Sequence, residues 1–254
     1  MMATIGQNLL VVAATVIGSL LFLAGLNRVW PQEKRRTYND LIGWQLSILG
    51  TTYAVILGFM LYTVWTTYAE ADLNVDLEAN AVMNVYRLAD GLSEPQHTQL
   101  QRLALAYVDA VVNHDWPQMA GSEAPQQSVG INTEMWKTVM SARAGSPTEQ
   151  IAEEHALAEL SALNQHRLTR LLQSTTRLPN VLWCVLLVGG CLTIIAACTL
   201  GVENVKLHML QVFSFSLLIS LSLVAIADIH RPFQGLIHVR DDAFRRAERT
   251  MQAR

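Results

Sequence analysis

The residues best placed to do chemistry are four carboxylates, Glu70, Asp72, Asp76 and Glu78, which fall within nine positions. The next lysine or arginine after them is Arg87. Carboxylates gathered around a symmetry axis concentrate cations at the mouth of a pore. A charge run is also typical of the solvated outer face of a helix. Because Glu70 and Asp76 lie on different sides of a helix, at most part of the set can face one lumen.

Enzyme chemistry is not indicated by any motif. The sequence has no His-Glu-x-x-His, no Gly-x-Ser-x-Gly and no phosphate-binding glycine loop. The three cysteines are spaced by seven, too far apart to bridge within one helix, and they do not form a metal-binding pair. The net charge of −3, with no basic patch rich in aromatic residues, argues against a nucleic-acid partner. We therefore predict no enzyme activity, no catalytic residue, no metal and no cofactor.

Four uncharged stretches decide the fold class: 9–26, 41–68, 178–202 and 207–227. Each is close to or above the roughly 20 apolar residues with which a helix crosses a bilayer. Only helices and closed barrels satisfy the backbone in lipid, and these runs lack the alternation of barrel strands. The sequence predicts an all-α membrane protein with two transmembrane helices at each end.

The predicted domains follow from these stretches. A helical hydrophilic stalk, formed partly by extensions of the second and third spans, separates two transmembrane hairpins and precedes a basic tail. The boundaries are 1–68 for the first hairpin (spans about 5–29 and 41–68), 69–177 for the stalk, 178–229 for the second hairpin (spans about 180–201 and 207–229) and 230–254 for the tail. Within the stalk, we expect helices at about 94–116, 133–140 and 148–177, with a loop over 118–130.

The second stretch is unusually long. Its 28 uncharged residues make about 42 Å of helix, against about 30 Å of hydrocarbon. A few polar residues, separated by apolar ones, are distributed along this stretch. We predict that five of these residues line a pore: Gln45, Thr52, Val55, Phe59 and Thr63. Small and polar residues also serve as packing surfaces between helices in lipid, so this alternative stays open.

The end of the fourth stretch carries an acid, Asp228, three residues before Arg231. An acid at the hydrocarbon edge is costly unless it is paired or hydrated, so it either lines an aqueous path or locks the tail through an arginine. Pro232, Phe233 and Gly235 then predict a chain reversal that turns the tail onto the stalk. We call Asp228, Arg231, Pro232, Phe233 and Gly235 the predicted tail lock.

Four spans place both termini and the stalk on one side of the membrane. Basic residues cluster in the first hairpin loop, at Arg28 and 34–36, and also at both ends of the stalk and in the tail. The second group is larger, so we predict that the stalk and termini are cytoplasmic.

Several scattered motifs resemble those of the uncharacterised bestrophin-like integral membrane family of bacteria. The resemblance rests on Trp65 and Tyr68, Glu78-Ala79, Tyr86-Arg87-Leu88, Tyr107, Asp115-Trp116-Pro117, Arg167 and Arg170, Pro179 and Trp183, Asp228, and Pro232-Phe233-Gln234-Gly235. It covers nearly the whole chain. No counterpart of the calcium clasp of true bestrophins is present.

The resemblance implies a homo-oligomer in the bacterial inner membrane, with a pentamer as one implied state. Small ions would pass along a central pathway lined by the second span, and the acidic run would favour cations. Its partners would be the lipid bilayer, further copies of the chain and small ions. The alternative is a non-conducting membrane scaffold or signalling protein whose helical stalk binds a partner.

Overall fold

The computed structural model describes residues 2–121, 127–143 and 145–253. Within these ranges the regular elements are all helices, which confirms the predicted all-α class. They are α1 (Met2–Val29), α2 (Gln32–Arg36), α3 (Asn39–Leu88), α4 (Gln96–Ala110), α5 (Trp116–Ala120), α6 (Gln127–Met140), α7 (Pro147–Thr175), α8 (Asn180–Thr199), α9 (Val205–Ile229) and α10 (Asp242–Gln252). A 3-10 turn, Ala89–Gly91, follows α3, and a π-helical turn, Val111–Asp115, joins α4 to α5.

Four of the described helices are long and apolar enough to cross a membrane, as predicted. They cover Ile5–Val29, Asn39–Gly91, Asn180–Thr199 and Val205–Ile229. Much of their surface is exposed on the single chain and consists of large apolar side chains, such as Leu21, Val181 and Leu218. An exposed apolar surface of this extent belongs in lipid or against other apolar helices, so the chain is a membrane protein.

The chain divides into two compact units. The first, which we call the membrane unit, comprises Met1–Thr66 and Arg177–His230. The second, which we call the stalk unit, comprises Thr67–Thr176 and Arg231–Arg254. Residues 231–253, predicted as a basic tail, thus belong to the same unit as the stalk helices.

The membrane unit is held by close packing and by hydrogen bonds between its helices. The ring of Tyr53 on α3 lies against Gly189 of α8, where a Cβ atom would come within 2.7 Å of the ring. The Tyr53 hydroxyl donates to the Leu186 carbonyl at 2.9 Å. The buried Arg35 of α2 donates to the Cys198 carbonyl at 2.7 Å, which satisfies one of the open carbonyls at the end of α8.

The stalk unit has one apolar core. Buried residues of α3, α4, α6, α7 and α10 meet in it, including Val82, Leu100, Val139, Leu160 and Phe244. Gly91, just after α3, is needed for this packing, because a Cβ atom there would come within 2.5 Å of the Cβ atom of Ala152. The end of α3 is therefore fixed against α7.

Helix α3 has 50 residues and runs without a break through both units. In contrast, α7 ends at Thr175 and α8 begins at Asn180. Pro179 lacks a backbone N–H and disfavours a helical conformation at the preceding residue, which explains this interruption. The second span therefore extends as a single helix, whereas α7 and the third span are separate helices.

The remaining stalk helices differ from expectation at their ends. The helix expected over 94–116 is α4, which continues through the π-helical turn into α5 and ends at Ala120. The helix expected at 133–140 begins already at Gln127. Of the loop predicted over 118–130, residues 122–126 lie outside the described residues.

Candidate functional site

The predicted lining residues of α3 all lie on its exposed side in the membrane unit. Gln45, Thr52 and Thr63 are exposed, and the exposed fractions of Val55 and Phe59 are 52% and 68%. A different side of α3 packs inside the chain through Ile42, Tyr53, Met60 and Val64, which are at most 9% exposed. The predicted set is thus available to water, to lipid or to another copy of the chain.

The structure separates the four acids predicted for a pore mouth. Glu70 and Asp72 are exposed on α3. The Asp76 carboxylate is 49% exposed and accepts a hydrogen bond from the Arg246 guanidinium of α10 at 3.0 Å. Glu78 is fully buried in the stalk unit. Glu78 therefore does not belong to an exposed acidic surface of the protomer.

Glu78 is at the centre of a buried polar cluster. The Arg170 guanidinium of α7 donates to both of its oxygens, from Nε to Oε2 at 2.7 Å and from Nη2 to Oε1 at 3.0 Å. Tyr107 of α4 donates its hydroxyl to Oε1 at 2.7 Å. Asp115 Oδ2, at the end of the π-helical turn, lies 3.4 Å from Arg170 Nη2. All four side chains have no exposed surface.

The electrostatics of this cluster favour the charged arginine and the neutral phenol. Burial acts to lower the pKa of Arg170, but the charge and hydrogen bonds of Glu78 outweigh it, so the pKa of the guanidinium is raised. Burial, followed by the negative charge of Glu78, raises the pKa of Tyr107 well above 10.0. A bidentate, fully buried ion pair with these partners fixes the position of α3 against α7.

The residues of the predicted tail lock fall in two units. Asp228 is near the end of α9 in the membrane unit, whereas Arg231, Pro232, Phe233 and Gly235 begin the last part of the stalk unit. The predicted pairing of Asp228 with an arginine therefore stays a prediction.

Within the stalk unit, the chain reverses direction after Arg231. Val239 N donates to Pro232 O at 2.7 Å. Gly235 has a φ of 91°, which only glycine adopts without strain. The reversal carries the chain from the end of α9 to the start of α10.

Sequence reasoning left Tyr107, Asp115 and Arg170 without a role, although the resemblance to the bestrophin-like family had singled them out. A family model for the Bestrophin-like domain matches residues 13–244. The chain belongs to the Bestrophin-like family. The buried cluster of this Bestrophin-like chain is thus built from Glu78, Tyr107, Asp115 and Arg170, residues that the resemblance had quoted.

Solved structures share the fold of this Bestrophin-like protein at low sequence identity. A variant of a bacterial Bestrophin homolog from Klebsiella pneumoniae is 13% identical with a TM-score of 0.63, over 94% of this chain and 98% of that one. A second variant of that homolog is 12% identical with a TM-score of 0.62, over 97% and 98%. A variant described as a membrane protein is 14% identical with a TM-score of 0.63, over 94% and 97%. No curated protein matches the chain.

The described residues contain no group of three or more histidine, cysteine, aspartate or glutamate side chains placed to hold a metal ion. The charged groups of the acidic run have three different environments in this Bestrophin-like chain. Glu70 and Asp72 are exposed, Asp76 is in a half-exposed ion pair, and Glu78 is in a buried ion pair.

Proposed function

We propose that the chain is a subunit of a homo-oligomeric ion channel in which α3 of each copy lines the pathway. The bestrophin-like fold is known for ion channels, and this chain has that fold over nearly its full length. The number of copies proposed is five, from the resemblance to bestrophins. We also propose that the spans lie in the inner membrane of a bacterium and that the stalk and termini are cytoplasmic.

The observation that carries this proposal is the polar side chain of Gln45 on the exposed side of α3. Gln45 is exposed, and no described residue makes a hydrogen bond with its amide. An amide facing lipid without a partner costs several kcal/mol by order of magnitude. Facing an aqueous pathway, the same side chain is hydrated. Thr63 is less informative, because its hydroxyl donates to Phe59 O at 2.8 Å within the helix.

The proposed preference for cations rests on the acids that remain exposed. Glu78 is neutralised by Arg170, and Asp76 is paired with Arg246. Glu70 and Asp72 are the exposed acids of the run. They lie about 160° apart around α3, so each copy contributes one of them to a ring at the exit from the span. Rings of such acids raise the local cation concentration and disfavour anions.

The proposal is tested by ion flux through the purified protein in sealed vesicles under opposed potassium and chloride gradients. The test variant reverses only the exposed acids, as Glu70→Lys with Asp72→Lys, because reversal of Glu78 would also break the buried ion pair. The matched control is Glu153→Lys with Glu154→Lys, which makes the same change of charge at the start of α7.

A cation-selective flux that turns towards chloride in the test variant, and not in the control, is the expected result. If the two variants changed the ion selectivity equally, Glu70 and Asp72 would not line the pathway. Absence of flux from a folded oligomer would favour the second candidate, a non-conducting scaffold whose stalk binds a partner. Leucine side chains exposed on the stalk unit favour that candidate, because they offer apolar surface to a partner. Leu73 is 60% and Leu172 is 68% exposed.

A further inference from the structure

The buried ion pair is connected to the last part of the chain through an aromatic cluster of the stalk unit. Trp116, the residue after Asp115, places its indole ring 5.9 Å from the Arg170 guanidinium carbon. At this distance the face of the ring attracts the cation. Asp115 and Trp116 are thus adjacent in sequence and both lie beside Arg170. Asp115 ends the π-helical turn and Trp116 directly follows it. The wider π-helical turn changes the register of the helix at this point.

Two phenylalanines from the last part of the chain hold Trp116 edge-on. Phe233 lies 5.7 Å away, centroid to centroid, at an interplanar angle of 83°. Phe244 of α10 lies 6.0 Å away at 67°. Both phenylalanines are at most 4% exposed. T-shaped pairs of this kind stabilise beyond the burial of their area, and they restrict the position of the indole.

A second connection runs through Met119 on α5. The Arg170 guanidinium donates from Nη1 to Met119 Sδ at 3.4 Å. The Gln234 amide, next to Phe233, donates to the Met119 carbonyl at 2.9 Å. The segment 233–234 therefore reaches both residues of α5 that touch the guanidinium, Trp116 and Met119.

We propose that Phe233 and Phe244 are positioning residues for α3. By holding Trp116 against Arg170, they keep the guanidinium on Glu78 and exclude water from the ion pair. The consequence for ion flow rests on the proposed function, because α3 is also the helix proposed to line the pathway. Loosening the aromatic cluster would then change how much the channel conducts, whereas the selectivity set by Glu70 and Asp72 would stay the same.

The first experiment measures hydrogen–deuterium exchange of α3 residues 73–88 in the purified full chain. It compares Phe233→Ala, Glu78→Gln and the double variant, with Ile237→Ala as the control from the same segment, since Ile237 is 47% exposed. We expect each single test variant to speed exchange in this part of α3 and the control to leave it unchanged. If Phe233 acts through the ion pair, the double variant speeds exchange less than the product of the singles, by a factor of about two or more.

Two results would overturn the proposal. One is a double variant whose effect equals the product of the single effects, because Phe233 would then stabilise the unit independently of Glu78. The other is faster exchange confined to α10, with α3 unchanged. The variant Phe233→Leu guards against simple loss of folding, since it keeps an apolar side chain and is expected to give exchange between that of wild type and Phe233→Ala.

Flux in vesicles separates this proposal from the proposed function. If the wild-type protein conducts, Phe233→Ala should change the flux severalfold and leave the ratio of potassium to chloride flux unchanged. A wild-type protein without flux would refute the channel, while the exchange experiment would still decide whether Phe233 positions α3. A conducting protein whose flux is the same in Phe233→Ala as in wild type would refute the link between the aromatic cluster and conduction.

Discussion

Replacement of Arg170 by methionine tests the central claim that burial makes the Glu78 ion pair decisive for the stalk unit. The variant Arg170→Met keeps an unbranched apolar side chain but leaves Glu78 and Asp115 buried with their charge uncompensated. Removing one partner of a buried ion pair typically costs about 3–5 kcal/mol. At about 1.4 kcal/mol for each factor of ten, local opening of the stalk unit should become about a hundredfold to a few thousandfold more frequent.

The assay is hydrogen–deuterium exchange of the α7 and α3 segments that face each other in the stalk unit, measured on the full chain. The matched control is Lys137→Met, which breaks an ion pair with Glu134 of similar length, 2.7 Å, on an exposed surface. Exposed ion pairs contribute little to stability, so exchange in the Lys137→Met variant should rise less than about fivefold. Similar exchange in the two variants would refute the reasoning, since burial would then have made no difference.

A companion variant distinguishes the loss of the pair from the loss of packing. In Glu78→Leu with Arg170→Met, the uncompensated carboxylate of Glu78 is gone, and apolar residues of similar volume often replace a buried pair at little cost. We expect slower exchange than in Arg170→Met alone. Full recovery is not expected, because Asp115 remains buried without its guanidinium partner.

Two further predictions concern α3 and Tyr107. In a variant without native cysteines, Phe59→Cys should react with a water-soluble thiol reagent and Met60→Cys should not, because Phe59 is 68% and Met60 9% exposed. Equal protection of the two cysteines would show that Phe59 does not line the pathway. The raised pKa of Tyr107 favours the neutral phenol in the fold. The contribution of Tyr107 to the stability of the stalk unit should therefore be constant below pH about 10 and fall above it, and Tyr107→Phe should show a smaller alkaline decline than wild type in thermal unfolding.

The membrane fold could be predicted from the sequence because hydrophobic length is a local property. About 20 apolar residues in a row span a bilayer whatever surrounds them, so the four helices follow directly. The continuity of α3 beyond its span was also readable, since the sequence after Tyr68 contains neither glycine nor proline until Gly91. The break between α7 and α8 was not predicted, because the third span was expected to extend into the stalk, although Pro179 gave a local signal for it.

The role of Glu78 could not be predicted in the same way, because it depends on a residue far away in the sequence. Glu70, Asp72, Asp76 and Glu78 look equivalent as a run of acids. Arg170, which neutralises Glu78, is 92 positions further along. Only the packing of α7 against α3 distinguishes Glu78 from the other three. The one available signal was the resemblance, which had quoted Glu78, Tyr107 and Arg170 without relating them to each other.

Helix geometry explains why one run of acids serves several purposes. Successive residues turn about 100°, so Asp76 lies about 160° from Glu78 around α3, and Asp72 lies about 120° from Glu78 on the same side as Asp76. When Glu78 faces Arg170 inside the stalk unit, Asp76 and Asp72 must face elsewhere, and Asp76 meets Arg246 of α10. A fixed rotation of α3 thus assigns the acids to different partners. Any change that rotates α3 would expose Glu78 only by breaking its ion pair, which is why the buried cluster fixes the charge that the chain presents outside.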